Sequence, residues 1–256
     1  MKKIKNNVFN SYYSKFYDQI YSKKNYIEEV KFLNSIFLKN KKHNPRIIDI
    51  GCGTGQHLLQ LLKLGHNVTG VDKSDDMINL ARLKLKKNGF EKTKIFQMDA
   101  KDVHMIPMKF DFAILMFNVV GYIEDLEQFF LNLKKILNKD AVIIFDFWDG
   151  KSIEKEKPIP TKKIFKQKKS VLIKKSKGKI IDSNLVKVEI DLEIEEQGEK
   201  FFDKETHFVR YYYLDKLKKI FLENGYNVNF LRNNKINKII KSKSEWEAIC
   251  LVNNVE

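Results

Sequence analysis

Along residues 45–150, short apolar runs alternate with stretches of helical spacing. Arg46-Ile47-Ile48-Asp49-Ile50 is brief and rich in β-branched residues, as in a parallel strand covered on both faces. Leu58, Leu61, Leu62 and Leu64 then recur at helical spacing, and Gly65 suits a helix C-terminal cap. Val68-Thr69-Gly70-Val71-Asp72 reads as a second strand. Ser74 to Lys87 follows as a helix with Met77, Ile78, Leu80, Ala81, Leu83 and Leu85 on or near its apolar face, ended by Asn88-Gly89. Strands three to five fall at Lys94–Gln97, Phe110–Met116 and Ala141–Phe145, with a helix over Glu124–Leu137. Strands that alternate with helices predict an α/β fold around a mostly parallel sheet.

Beyond Lys151 the pattern changes. Lys155, Lys157, Pro158 and Pro160 mark a linker. Ser170–Lys174, Lys179–Glu196 and Lys204–Tyr213 then alternate polar and apolar residues, as antiparallel strands do. They predict a small antiparallel β lid, inserted after the fifth strand and covering the site. A helix over Leu214–Asn224, capped by Gly225, leads to strands at Tyr226–Leu231 and Trp246–Val252, an antiparallel hairpin on the main sheet. The expected divisions are a helical cap (1–44), the core (45–150), the lid (151–213) and the returning core (214–256).

Composition narrows the class. Hydrophobic residues make up 43% and charged residues 32%, the balance of a globular chain rather than a disordered one. The formal charge is +15, yet of 48 basic residues only Arg46, Arg82, Arg210 and Arg232 are arginine. A protein that reads bases would use more arginine forks, so nucleic acid is disfavoured as a partner and general attraction to anions is expected. No apolar stretch approaches the ~18 residues of a membrane span, and no apolar run follows Met1-Lys2-Lys3 as in a secretory leader. A cytoplasmic location is expected; a homodimer is left open. Cys52 and Cys250 form no metal-ligand pattern, and no metal is expected.

The candidate chemistry begins at Asp49-Ile50-Gly51-Cys52-Gly53-Thr54-Gly55-Gln56. Gly51, Gly53 and Gly55 let the backbone turn sharply and approach a ligand, with Cys52 a small side chain inside the turn. A dinucleotide fingerprint wants Gly or Ala where Gln56 stands, and the Asp49 carboxylate would repel a pyrophosphate. An ammonium-bearing ligand such as S-adenosylmethionine (SAM) suits it better. Asp72 ends the second strand, where doubly wound folds place an acid on ribose hydroxyls. It could instead cap the next helix, although Ser74 is the better cap. Asp99 and Ala100, past the third strand, are placed to meet an adenine. The N-terminal helical region carries Tyr12, Tyr13, Phe16, Tyr17, Tyr21 and Tyr26, which read as a face packed on the core and also as hydroxyls and π faces for a carboxylate and a sulfonium.

With these residues in place, the chain resembles the Rossmann-like SAM-dependent methyltransferase family. Tyr17-Asp18-Gln19-Ile20-Tyr21, Met116-Phe117-Asn118-Val119-Val120-Gly121-Tyr122 and Thr206-His207-Phe208-Val209-Arg210 resemble the bacterial subgroup that includes N-methyltransferases of nucleotide-linked amino sugars. The resemblance implies a seven-stranded, mostly parallel sheet and SAM as cofactor, with S-adenosylhomocysteine as product. Tyr21 matches the tyrosine that approaches the methionine carboxylate, with Tyr17 beside it. Lys73 follows the ribose acid, Met77 packs on adenine, and Phe117 and Asn118 lie beside the sulfonium.

The acceptor is open among nitrogen, oxygen and carbon. A hydroxyl acceptor would need a general base, for which His207, Tyr122, Asp146 and Asp149 are candidates. Trp148, Asp149 and Arg210 are candidates for contact with a substrate; Trp148 and Asp149 read equally as a buried aromatic corner. The leading expectation is a methyltransferase for a small polar metabolite. An RNA or protein methyltransferase, or a SAM-binding module without catalysis, is the alternative. Gln56 and Asp49 argue against a nucleotide-dependent oxidoreductase.

Overall fold

Five strands run parallel in the first part of the chain. They are β1 (Arg46–Ile50), β2 (Asn67–Asp72), β3 (Ile95–Gln97), β4 (Phe110–Leu115) and β5 (Leu137–Trp148). The coordinates are a computed structural model and describe residues 8–9, 11–40, 42–167, 170–231 and 246–254. Helices α3 (Gln56–Lys63), α4 (Asp75–Lys87) and α5 (Leu126–Lys134) connect the strands. Ile47, Ile48 and Ile50 are fully buried, because helices cover both faces of the central strands.

The hairpin β10 (Tyr226–Leu231) and β11 (Glu247–Asn254) completes a seven-stranded sheet of order β10-β11-β5-β4-β1-β2-β3. Strand β11 is antiparallel to both of its neighbours. Two N-terminal helices, α1 (Ser11–Ile20) and α2 (Tyr26–Lys39), precede the sheet. Val30, Leu33 and Phe37 of α2 pack with Leu58 and Leu61 of α3 on one face. Phe129, Phe130 and Leu133 of α5 pack with Leu217 and Phe221 of α7 (Leu214–Glu223) on the other.

Between β5 and α7 lie a short helix, α6 (Gly150–Lys155), and a separate four-stranded antiparallel sheet. Its strands are β6 (Thr161–Gln167), β7 (Ser170–Asp182), β8 (Leu185–Glu196) and β9 (Glu199–Arg210). Two details differ from the sequence reading. β6 lies just past the linker marks and before the first expected strand: it is an edge strand whose Lys162, Lys163 and Lys166 are exposed, so no apolar face marks it. The stretch Lys179–Glu196 is not one strand, since Ser183 and Asn184 turn the chain from β7 into β8. The small sheet packs through Leu172, Ile190, Leu192 and Ile194 against Tyr13, Phe16 and Ile20 of α1. It therefore lies over the carboxyl ends of the parallel strands, where ligands of open α/β sheets bind. Among the described residues no helix is long and apolar enough to cross a membrane.

Candidate active site

The loop after β1 is shaped by two glycines for different reasons. Gly51 has φ +71, and a Cβ there would lie 2.6 Å from the Val119 side chain, so the loop packs directly on the 3-10 turn Val119–Tyr122. Gly53 has φ +52 and open space around the position of a Cβ; it forms part of the cleft lining. The N–H groups of Gly51 and Cys52 both donate to the Val71 carbonyl, at 2.7 and 2.9 Å, folding the loop over the tip of β2. Gly55 lies beneath, against Ala81 of α4.

Asp72 turns out to do two things. One oxygen accepts the Gly53 N–H at 2.8 Å and the other accepts the Ser74 N–H at 2.9 Å, while the residue still lines the cleft. Burial raises its carboxyl above the usual range, and the amide donors oppose the rise. Ser74 caps α4 by accepting the Met77 N–H at 3.3 Å, and its hydroxyl donates to the Phe9 carbonyl at 2.7 Å. Helix α1 is clasped to the same loop. Asp18 accepts from the Thr54 hydroxyl at 2.6 Å and pairs with Lys84 of α4 at 2.7 Å.

Asp49 is buried under the loop, and one of its oxygens has no hydrogen-bond partner. Burial pushes its carboxyl up to about 7; His57 opposes the rise and Asp72 adds to it. A buried acid without a full set of donors suits a cationic ligand group above it. Asp99 caps the 3-10 turn Ala100–Met105 through the Lys101 N–H at 3.2 Å and, with Ala100, lines the far end of the cleft.

The tip of β4 is strained. Phe117 and Asn118 are non-glycine residues at φ +75 and +57, which costs roughly 1–2 kcal/mol each. Asp146 on β5 holds the turn by accepting the Asn118 N–H at 2.8 Å. Burial, reinforced by Glu247, pushes the Asp146 carboxyl up to about 7 against the pull of Lys24 and that N–H. The Lys24 ammonium sits 4.4 Å from the centre of the Phe117 ring and pairs with Glu29, which also meets His57 at 2.8 Å. Strain of this kind collects at functional sites and persists where the surroundings fix it.

Aromatic rings close the cleft. Phe9, Tyr17, Phe117 and Tyr122 line it, together with Met77 and Met98. Tyr21 stands behind Tyr17, edge-on to Phe117 at 4.9 Å. Its hydroxyl meets that of Tyr13 at 2.9 Å and accepts from Lys174 of the small sheet at 3.2 Å. The Tyr122 hydroxyl lies 2.9 Å from Nδ1 of His207 on β9, and His207 Nε2 lies 2.9 Å from Glu205 Oε2. Burial, with Tyr21 and Glu205 nearby, raises the Tyr122 phenol well above its usual value.

The resulting cleft has a volume of about 490 Å³. It brings Tyr17, Gly51, Gly53, Asp72, Lys73, Met77, Asp99, Ala100, Phe117 and Tyr122 together. Asp49, Cys52, Gly55, Tyr21, Asn118, Asp146 and His207 stand outside that lining, in the loop or in the shell of packed residues around it. Three residues read as substrate contacts lie elsewhere. Trp148 packs edge-on against Trp246 at 5.5 Å, because β11 pairs with the end of β5. Asp149 caps α6, accepting from the Ser152 hydroxyl at 3.2 Å. Arg210 ends β9, paired with Leu185. The tip of β5 thus carries a partly buried aromatic pair and does not line the cleft. Two features escaped the sequence reading. The Asp18–Thr54–Lys84 clasp joins residues distant in sequence, whereas Glu205 lies two positions before His207 on a strand, the spacing that puts both on one face.

Residues 47–140 match the family described as a methyltransferase domain. A dTDP-3-amino-3,4,6-trideoxy-alpha-D-glucopyranose N,N-dimethyltransferase of Streptomyces venezuelae is 25% identical over 128 residues, 49% of this chain and 52% of its own. The chain spans about half the length of the curated relatives it matches. Solved structures are similar along nearly the whole chain. A SAM-dependent methyltransferase from Clostridium acetobutylicum superposes with a TM-score of 0.79 at 20% identity, covering 98% of this chain and 100% of the other. A sugar N-methyltransferase from Streptoalloteichus gives 0.81 at 15% identity, covering 100% and 98%. Residues 47–140 are thus similar to a methyltransferase domain, and the chain has the fold of the SAM-dependent methyltransferases.

Proposed function

We propose that this chain transfers a methyl group from SAM to a small polar metabolite, with the amine of a nucleotide-linked sugar as the leading acceptor. The observation that carries the reading is the continuity of one cleft, from Asp99 past Asp72 and Gly53 to Tyr122. The residues present fit the cofactor. Asp49 is a buried acid short of a donor beneath the glycine loop and matches an ammonium. Asp72 has carboxylate lone pairs beyond the two it gives to amides and matches ribose hydroxyls. Met77 and Met98 offer apolar contact to a base, beside Asp99. The rings of Tyr17 and Phe117 suit a sulfonium.

SAM, when bound, supplies an electrophilic methyl group. The chain's part is to hold the acceptor in line, keep water out and take up a proton. Such positioning contributes roughly 7–11 kcal/mol in well-oriented reactions. Tyr122 is a polar group of the cleft lining beside Phe117, and Phe9, Tyr17 and Phe117 form an aromatic wall. The sheet β6–β9, packed on α1 and meeting Tyr122 through His207, stands beside the cleft and favours a small acceptor over a polymer that needs an open groove. The relation to sugar N-methyltransferases supports an amine on a nucleotide-linked sugar, and the lysine surface suits a diphosphate.

Calorimetry with SAM, S-adenosylhomocysteine and NAD tests the cofactor: the first two should bind and NAD should not. Labelled SAM offered with dTDP-amino sugars, simple amines and bulk RNA tests the acceptor. Methyl transfer to RNA alone would overturn the small-molecule reading.

A further inference from the structure

We infer that Glu205 completes a proton relay, Tyr122–His207–Glu205, that carries the acceptor's proton out of the cleft into the small sheet. The inference rests on the amine-methylating reading above and assigns a positioning role to a residue outside the cleft. Tyr122 lies on the core, in the turn after β4, whereas His207 and Glu205 lie on β9. His207 and Glu205 are 2% and 7% exposed, so both are buried in the small sheet behind Tyr122. Glu205 Oε2 and His207 Nε2 are 2.9 Å apart, an ion-pair contact, although the ring N–H is not aimed along it as in a full hydrogen bond.

A carboxylate beside Nε2 favours the tautomer with its proton there. Nδ1 is then free to accept the Tyr122 O–H at 2.9 Å. The Tyr122 oxygen keeps a lone pair for an ammonium N–H in the cleft. In the step proposed, the ammonium N–H bond breaks as an O–H bond forms on Tyr122. The former Tyr122 proton moves to Nδ1. One positive charge passes from the amine to the imidazole, where Glu205 faces it, and the nitrogen lone pair is freed. The raised Tyr122 phenol fits a conduit that hands on a proton without resting as phenolate. Several groups among the described residues surround His207. Tyr13 of α1 and Phe9 contact the ring, at 5.7 and 5.0 Å between centroids, Val188 pairs with it from β8, and Tyr122 and Glu205 are the polar partners. Glu205 is the carboxylate in contact with the imidazole, so its removal should show in the tautomer the ring adopts.

Glu205→Gln tests the relay in the full chain, with dTDP-3-amino-3,4,6-trideoxy-alpha-D-glucopyranose as acceptor. Removing the neighbouring anion makes the imidazolium less favourable. The rising limb of kcat against pH should therefore move to lower pH, and kcat at its plateau should fall by about tenfold or more. KM and the affinity for S-adenosylhomocysteine should hold, and Glu205→Asp should recover part of the rate. Nitrogen NMR of His207 should show the ring proton on Nε2 in the wild type and a changed tautomer balance in Glu205→Gln, without any substrate. A folded Glu205→Gln protein with wild-type kcat and an unchanged tautomer balance would overturn the relay alone. Wild-type protein that binds SAM yet methylates no amine would overturn the reading beneath it.

Discussion

The carboxylate of Asp72 accepts the backbone N–H of Gly53 at 2.8 Å. The acid at the tip of β2 therefore braces the loop at the tip of β1 as well as facing the cleft. A side chain with both duties should affect ligand and loop together when it is removed. Asp72→Ala strips a charged acceptor from two amides, each such bond being worth about 1.5–3 kcal/mol. The SAM dissociation constant should rise more than tenfold, and amide exchange at Gly53 and Ser74 should quicken. Asp72→Asn keeps one oxygen as acceptor and should fall between. Weakened SAM binding with unchanged exchange would show that the loop stands without Asp72.

Gly53 and Gly65 offer a matched pair. Both have left-handed φ, +52 and +84, and both have open space where a Cβ would stand. Alanine at either should cost roughly 1–2 kcal/mol of stability through the backbone alone. Gly53 lines the cleft and Gly65 does not. Gly53→Ala should therefore also weaken SAM, while Gly65→Ala should bind it as the wild type does. Thermal melts and calorimetry on the two variants check this; equal SAM affinity in both would mean the loop does not touch the cofactor.

The same physics explains how much of the molecule could be read from its sequence. Strands β1, β2 and β4 are covered on both faces, so their apolar runs stand out. The Ser74 cap was legible because a side-chain oxygen ahead of an apolar helix has few other uses. β6 was hidden because an exposed edge strand is kept soluble by the lysines that erase its alternation. The turn at Ser183-Asn184 was hidden because alternation continues on both sides of it. Trp148 and Asp149 read equally as a mouth and as an aromatic corner, because tips of parallel strands often form a mouth. Here β11 and α6 cover that tip, a tertiary fact that no local pattern carries. Glu205 was within reach of strand periodicity, but it acquires meaning only once His207 faces Tyr122.

Asp49 makes stability depend on pH in a direction opposite to that of a salt-bridged acid. Its carboxyl stands at about 7 in the folded chain against an ordinary 3.8. Its contribution is fully present below pH 3.8, where the group is neutral in both states, and is lost as pH rises through about 7. Asp49→Asn removes that loss. The variant should be more stable than the wild type above pH 7, by at most roughly 4 kcal/mol. The gap should close toward pH 4. S-adenosylhomocysteine should narrow it at high pH, since an ammonium over Asp49 would favour the charged form. Denaturant melts at several pH values, with and without that ligand, check the sign; a gap that widens toward acid would refute it.

Asp146 holds the strained turn through one bond. Its oxygen takes the Asn118 N–H at 2.8 Å, in a region where Asn118 and Asp146 are both buried. Without that acceptor the N–H is left in a dry site, which costs about 1–3 kcal/mol. The left-handed pair Phe117–Asn118 also loses the group that fixes it. Asp146→Ala should lower the melting temperature by about 2–4 °C per kcal/mol and release the Phe117 ring from beneath the Lys24 ammonium. SAM affinity should fall with it, because Phe117 lines the cleft. Asp146→Asn keeps an oxygen for the N–H and gives up a charge that burial already disfavours. It should restore both stability and SAM affinity at pH 8, where the wild-type carboxyl is ionised. If Asp146→Asn instead behaves like Asp146→Ala, the charge facing Lys24 matters more than the hydrogen bond, and the turn is held electrostatically.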